Sequence, residues 1–262
     1  MLKAITLNMD DTQLNFSEFK QKTARVAAEA MINAGLKDSV DSVVKKIFEV
    51  YRTQGWENTK IMSWVLESYN IEDVHLKEKI RQSGILVYEA ERGKVLKPFL
   101  GVVETLNRLK EMGIKVVVLT DANREKVWKR LILSGLQDMF DAVVCSTDAN
   151  SAKPDSKIFQ LALDKISELL GEEIKPEEVL HVGDHPDKDI EGARKFGMKT
   201  CLARSAQWDH SPCKPDYKIN DFRELLQIVQ DLMTSVRNGK PIPKGPGELH
   251  TMIKERRTRR VN

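Results

Sequence analysis

The feature that most constrains the fold is a strand with no neighbour in sequence. Lys3-Ala4-Ile5-Thr6-Leu7 is a short apolar run rich in β-formers that stops at polar residues, the mark of a buried strand. The backbone groups of a buried strand need partners. None follows for a long stretch, because residues 15–96 contain no strand-like alternation. That stretch has helical spacing instead. Phe16, Phe19, Val26, Ala27, Ala30 and Met31 recur at intervals of three and four before Gly35, and Val43, Val44, Ile47 and Val50 repeat the pattern. Residues 60–69 and 76–90 read as two further helices, making an all-helical bundle.

After Lys97-Pro98 the rhythm changes. Short apolar runs at 115–119, 142–145, 179–182 and 199–202 alternate with amphipathic segments at 101–112, 123–133, 156–170, 187–196 and 222–236. Near-continuous apolar strands alternating with helices give a parallel sheet covered on both faces. The isolated first strand belongs in that sheet, so the helices are an insertion. The expected fold class is α/β. A three-layer Rossmann-like core with a parallel sheet spans residues 1–14 and 97–236, an inserted all-helical domain spans 15–96, and a basic, Pro/Gly-rich tail spans 237–262.

Composition excludes several classes. The chain has 262 residues, 31% of them charged, and a formal net charge of +3. Residues 237–262 hold eight Lys/Arg against two Glu, so the basicity belongs to the tail and the rest is slightly acidic. A nucleic-acid function for the body gains no support from this balance, and a polyanion contact is expected, if anywhere, through the tail. No apolar run is long enough for a membrane span, and the opening residues carry no secretory h-region. Cys145, Cys201 and Cys213 are odd in number and lack CxxC spacing. A disulfide framework or zinc site is therefore not expected, and a reducing cytoplasm is.

In open parallel sheets the ligand site lies at the carboxyl ends of the strands. Polar residues gather at those positions here. The first strand ends in Asn8-Met9-Asp10-Asp11-Thr12, the second in Thr120-Asp121 and the fourth in Gly183-Asp184, with Asp187 and Asp189 just beyond; Lys153-Pro154 follows the third. This constellation resembles the haloacid dehalogenase-like hydrolases, mostly magnesium-dependent phosphatases, over the whole core. The family's strand-D-x-D-x-T motif reads Leu7-Asn8-Met9-Asp10-Asp11-Thr12. Its strand-end Ser or Thr matches Thr120, its Lys matches Lys153-Pro154-Asp155, and its G-D-x-x-x-x-D matches Gly183-Asp184 through Asp189. The helical insertion after the first motif is similar to the family's type-one cap. Such a cap would set substrate choice and would hinge near residues 13–15 and 94–99.

The resemblance implies a role for each residue. Position 8 would be nucleophile and metal ligand, and Asp10 general acid, then base. The Met9 or Asp10 carbonyl, Asp184 and Asp189 would hold Mg2+, Asp189 either directly or by orienting the site; Asp187 is its rival. Thr120, Asp121 and Lys153 would bind the phosphate of a small phosphorylated metabolite. The departure is Asn8 where the family has Asp. An amide is a poor nucleophile and a weaker ligand for a hard cation. The reading is thus a phosphatase inactivated or made substrate-trapping at its nucleophile, and retention of the other motif residues favours it. The alternative is a catalytically silent phosphate-binding or regulatory protein. A dehalogenase is disfavoured by the Asp184 and Asp189 pattern, whereas a phosphomutase stays open. His181 reads as a hydrogen-bonded core histidine, His185 as a bystander and Cys201 as a buried strand thiol. Trp56 and Trp64 are expected in the core of the insertion, or one of them facing substrate.

Overall fold

A computed structural model describes residues 1–56, 58–204 and 211–235; the basic, Pro/Gly-rich tail, 237–262, lies outside the described residues. The elements run β1 (Ala4–Leu7), α1 (Phe16–Asn33), α2 (Val40–Gln54), α3 (Ile61–Glu67), α4 (Val74–Val95), α5 (Val102–Glu111), β2 (Lys115–Thr120), α6 (Arg124–Ser134) and β3 (Ala142–Cys145). They continue with α7 (Ser146–Ala149), α8 (Ser156–Leu170), β4 (Val179–Gly183), α9 (Gly192–Phe196), β5 (Lys199–Ala203), β6 (Tyr217–Ile219) and α10 (Glu224–Ser235). The chain divides into two compact units. One holds Met1–Leu14 and the chain from Pro98 onward, the other Asn15–Lys97.

The first unit is built on a six-stranded sheet of order β3-β2-β1-β4-β5-β6, every neighbouring pair parallel. The lone N-terminal strand sits inside it, with Leu7 opposite Val118 on one side and Val182 on the other. Burial on both faces explains why β1 and the interior of β2 are apolar without alternation. Val117, Leu119, Val144, Val179, Ile158, Phe159 and Ile166 form one core layer between strands and helices. The connections run outward in opposite directions from β1 and β4, so the edge of the sheet opens a crevice between those two strands.

β6 was not legible in the sequence. It has three residues with Lys218 exposed at its centre, so no apolar run announces it. The Asp216 carboxylate, which accepts from the backbone N–H and hydroxyl of Thr200, fastens it beside β5. The helix expected at 187–196 is also more complex: a single π-helical turn, Pro186–Glu191, precedes α9.

The second unit is all helical, with its own core of Ala27, Met31, Ile47, Tyr51, Leu66 and Ile80. Gly84 lets α4 approach α1, since a β-carbon there would lie 2.8 Å from Met31 Cγ. Lys20 is buried within this unit. Its ammonium donates to the Trp56 carbonyl at 2.9 Å and lies 4.2 Å from the Tyr51 ring centroid, a cation–π contact. Trp56 and Trp64 are not interior as expected: they are 45% and 38% exposed. Tyr51 fills the interior instead, and Trp56 stacks on it from outside. Among the described residues no helix is long and apolar enough to cross a membrane.

Candidate active site

The motif residues at the crevice belong to the sheet-bearing unit, and parallel pairing brings the ends of β1, β2 and β4 to one edge. Asn8 continues β1, its backbone N–H donating to the Val182 carbonyl at 2.8 Å. Its side chain then turns into the crevice. The amide nitrogen donates to Asp184 Oδ1 at 2.8 Å and to the Asp10 carbonyl at 2.9 Å, with Thr12 Oγ1 at 3.3 Å. The amide oxygen accepts from Lys153 Nζ at 3.0 Å. Thr12 also donates to Asp184 Oδ1 at 3.0 Å. Motif positions 8, 12, 153 and 184 thus form one hydrogen-bonded cluster.

Lys153 is buried. Besides Asn8, its ammonium reaches Asp189 Oδ1 at 2.6 Å and the Leu119 carbonyl at 3.2 Å, and its backbone N–H donates to Asp121 Oδ1 at 2.9 Å. Burial alone would lower its pKa, but the Asp189 and Asp121 charges outweigh burial and raise it. Asp189 is 1% exposed, whereas Asp187 is exposed. One Asp189 oxygen takes Lys153 and the His181 ring at 3.2 Å; the other accepts the His185 backbone N–H at 2.9 Å. Burial would raise the Asp189 carboxyl, yet the Lys153 ammonium and the His181 hydrogen bond hold it well below the usual range. His181 is the buried, bonded histidine expected, joined to Thr6 at 2.9 Å across β1 and β4. Burial keeps it neutral by lowering its pKa. Gly183 is required here: a β-carbon would fall 2.2 Å from Asp189 Cγ.

Asp184 is pushed up to about 7 by burial and by the Asp189 and Asp11 charges. Thr120 is buried, and its hydroxyl accepts from the Ala122 N–H at 3.3 Å. Asn123 caps α6. His185 serves locally, its ring accepting from the backbone N–H groups of Asp187 and Lys188. Cys201 is a buried strand thiol, as expected.

Arg130 was missed. It is 4% exposed on α6, and its guanidinium donates to Asp10 Oδ2 at 2.5 Å. Its position three residues after the buried Val127 puts it on the inward face of α6, which is the signal a sequence reading could have used. A second cation, Arg204, follows β5 and pairs with Asp11 at 3.4 Å.

Magnesium requires several oxygen ligands in near-octahedral geometry. Asp184 Oδ1 and the Asp10 carbonyl are suitable, but Asn8 directs its nitrogen at both. The Met9 carbonyl is taken by the N–H groups of Gln13 and Leu14. Asp189, expected as a metal residue, has both oxygens engaged by Lys153, His181 and His185. Among the described residues no group of three or more His, Cys, Asp or Glu is placed to hold a metal ion. As arranged, these residues do not fit a magnesium ion.

Comparison with known proteins gives concordant results. A family model described as "Haloacid dehalogenase-like hydrolase" matches residues 9–203. The chain is 32% identical over 239 residues to the glyceraldehyde 3-phosphate phosphatase of Methanopyrus kandleri, covering 88% of this chain and 99% of that protein. It is also 32% identical over 238 residues to the Methanocaldococcus jannaschii protein of the same name, with the same coverage. A crystal structure of a HAD phosphatase from Thermococcus onnurineus superposes with a TM-score of 0.63 at 22% identity, covering 87% of this chain and 98% of that one.

Proposed function

Since the chain belongs to the haloacid dehalogenase-like hydrolase family, we propose that it is a phosphoric monoester hydrolase scaffold for a small phosphorylated metabolite, halted by Asn8 before the covalent step. The observation that carries this reading is the meeting of Asp184 and Lys153 on the Asn8 amide at the crevice, at 2.8 and 3.0 Å. With a carboxylate at position 8, one oxygen would attack phosphorus as the P–O ester bond breaks, and Asp10 would give its proton to the departing alcohol. Water would then cleave the aspartyl-phosphate, with Asp10 as base. The neutral amide of Asn8, its electron pairs delocalised and uncharged, is too weak a nucleophile for that attack. Substrate choice is assigned to the helical insertion, acting as a cap. Glyceraldehyde 3-phosphate, in the names of both relatives, is the first substrate to try. The free cysteines fit a reducing, cytoplasmic setting.

The test is Asn8→Asp, assayed with p-nitrophenyl phosphate and glyceraldehyde 3-phosphate in magnesium-containing buffer. Phosphate release should exceed that of the parent chain at least roughly tenfold and vanish again on adding Asp10→Asn. Failure of both substrates in a folded variant would sink the reading. It would favour the silent phosphate-binding protein, which the internal saturation of Lys153 by three acceptors also supports.

Arg130 adds a second expectation. Its guanidinium donates to Asp10 Oδ2 at 2.5 Å and so fixes the carboxyl that would serve as acid and base. In the Asn8→Asp background, Arg130→Leu should lower kcat roughly tenfold or more with KM little changed. An unchanged kcat would remove Arg130 from the mechanism.

A further inference from the structure

We propose that in this chain the amide nitrogen of Asn8 takes the place of a divalent cation, so that the crevice is assembled without metal. Two oxygens of the kind a hard cation would use, Asp184 Oδ1 and the Asp10 carbonyl, converge at 2.8 and 2.9 Å on that nitrogen. Thr12 Oγ1, at 3.3 Å, completes an oxygen-lined cradle around it. A primary amide has two N–H bonds to donate, and both point into this cradle.

The amide's orientation is dictated by its surroundings. Its oxygen faces the Lys153 ammonium at 3.0 Å. Turning the amide over to offer oxygen to a cation would set its NH2 against that ammonium. It would also set its oxygen against the Asp184 carboxylate and the Asp10 carbonyl. Lys153 cannot easily retreat, because its other bonds run to the buried Asp189 and to the Leu119 carbonyl. Charge acts in the same direction. A carboxylate at position 8 would stand beside Asp184, and two carboxylates sharing a site need a cation or a proton between them. The neutral amide removes that need and provides donors in the cation's stead.

The inference does not rest on the phosphatase reading and is tested without substrate. The full chain and Asn8→Asp are melted in EDTA and in magnesium chloride, with ionic strength matched by potassium chloride, and magnesium is titrated calorimetrically into each. The parent chain should shift by less than about 1 °C with magnesium and give no binding heat. Asn8→Asp should melt below the parent in EDTA and rise by several degrees with magnesium. Asn8→Ser, which keeps neutrality but removes the amide donors, should melt lower than the parent in EDTA. Magnesium binding by the parent comparable to that of Asn8→Asp would overturn the proposal, as would an Asn8→Ser chain that melts with the parent. Should Asn8→Asp not fold, the parent titration and the Asn8→Ser melt decide alone.

Discussion

Replacing Lys153 with Met should destabilise the protein by about 3–5 kcal/mol at neutral pH, because it leaves a buried carboxylate without its cation. The Lys153 and Asp189 side chains are 2% and 1% exposed and lie 2.6 Å apart, so water cannot replace the lost partner. The loss should appear as a fall in Tm of roughly ten degrees. The double change Lys153→Met with Asp189→Leu should recover part of it, since the uncompensated charge is gone. The pH dependence follows from the depressed Asp189 pKa. A carboxyl held below its unfolded value stabilises the fold above about pH 4 and loses that contribution as pH falls towards the folded pKa. The gap between parent and variant should therefore be widest near neutrality and narrow below about pH 4. A constant gap down to acid pH would mean that packing, not charge, accounts for the loss.

Gly183→Ala should be comparably damaging, by at least about 3 kcal/mol, although it adds a single methyl group. That methyl would meet Asp189 Cγ at 2.2 Å and Oδ2 at 2.5 Å. Asp189 is held by Lys153, His181 and the His185 backbone, so it cannot move aside without breaking the network. Gly113→Ala is the control. Gly113 has a φ of +75° but nothing within 4 Å of its added β-carbon, so only the backbone cost of about 1 kcal/mol applies. Chemical denaturation of the two variants side by side checks the contrast. Equal losses would show that Asp189 yields.

The α/β core was legible because parallel strands buried on both faces write themselves as apolar runs, as Val116–Leu119 and Val179–Val182 do. The convergence of Asn8, Lys153 and Asp184 was legible because parallel pairing sends all strand ends to one edge. What one residue does to another across that edge was not. Asp189 was read, from the resemblance, as orienting the site or holding metal; its burial beside Lys153 and His181 depends on contacts from separate elements that no spacing shows. Arg130 lies 120 residues from the Asp10 it holds, and no local pattern carries that pairing. Trp56 and Trp64 were expected in the core of the insertion, or one of them facing substrate, and both are partly exposed. Large aromatic rings often keep one face in water, and Trp56 does so by stacking on Tyr51.

The place of β1 in the sheet sets an order of events during synthesis. Its two pairing partners begin at Lys115 and Val179, so β1 leaves the ribosome more than a hundred residues before either neighbour. Meanwhile the helical unit, Asn15–Lys97, has a core drawn wholly from its own residues and can condense from short-range contacts as it emerges. Until those neighbours emerge, Ala4–Leu7 has both backbone edges unpaired. The nascent chain therefore carries an apolar segment without its sheet until Lys115–Thr120 has emerged, and this interval is where chaperone binding or aggregation would act on the protein.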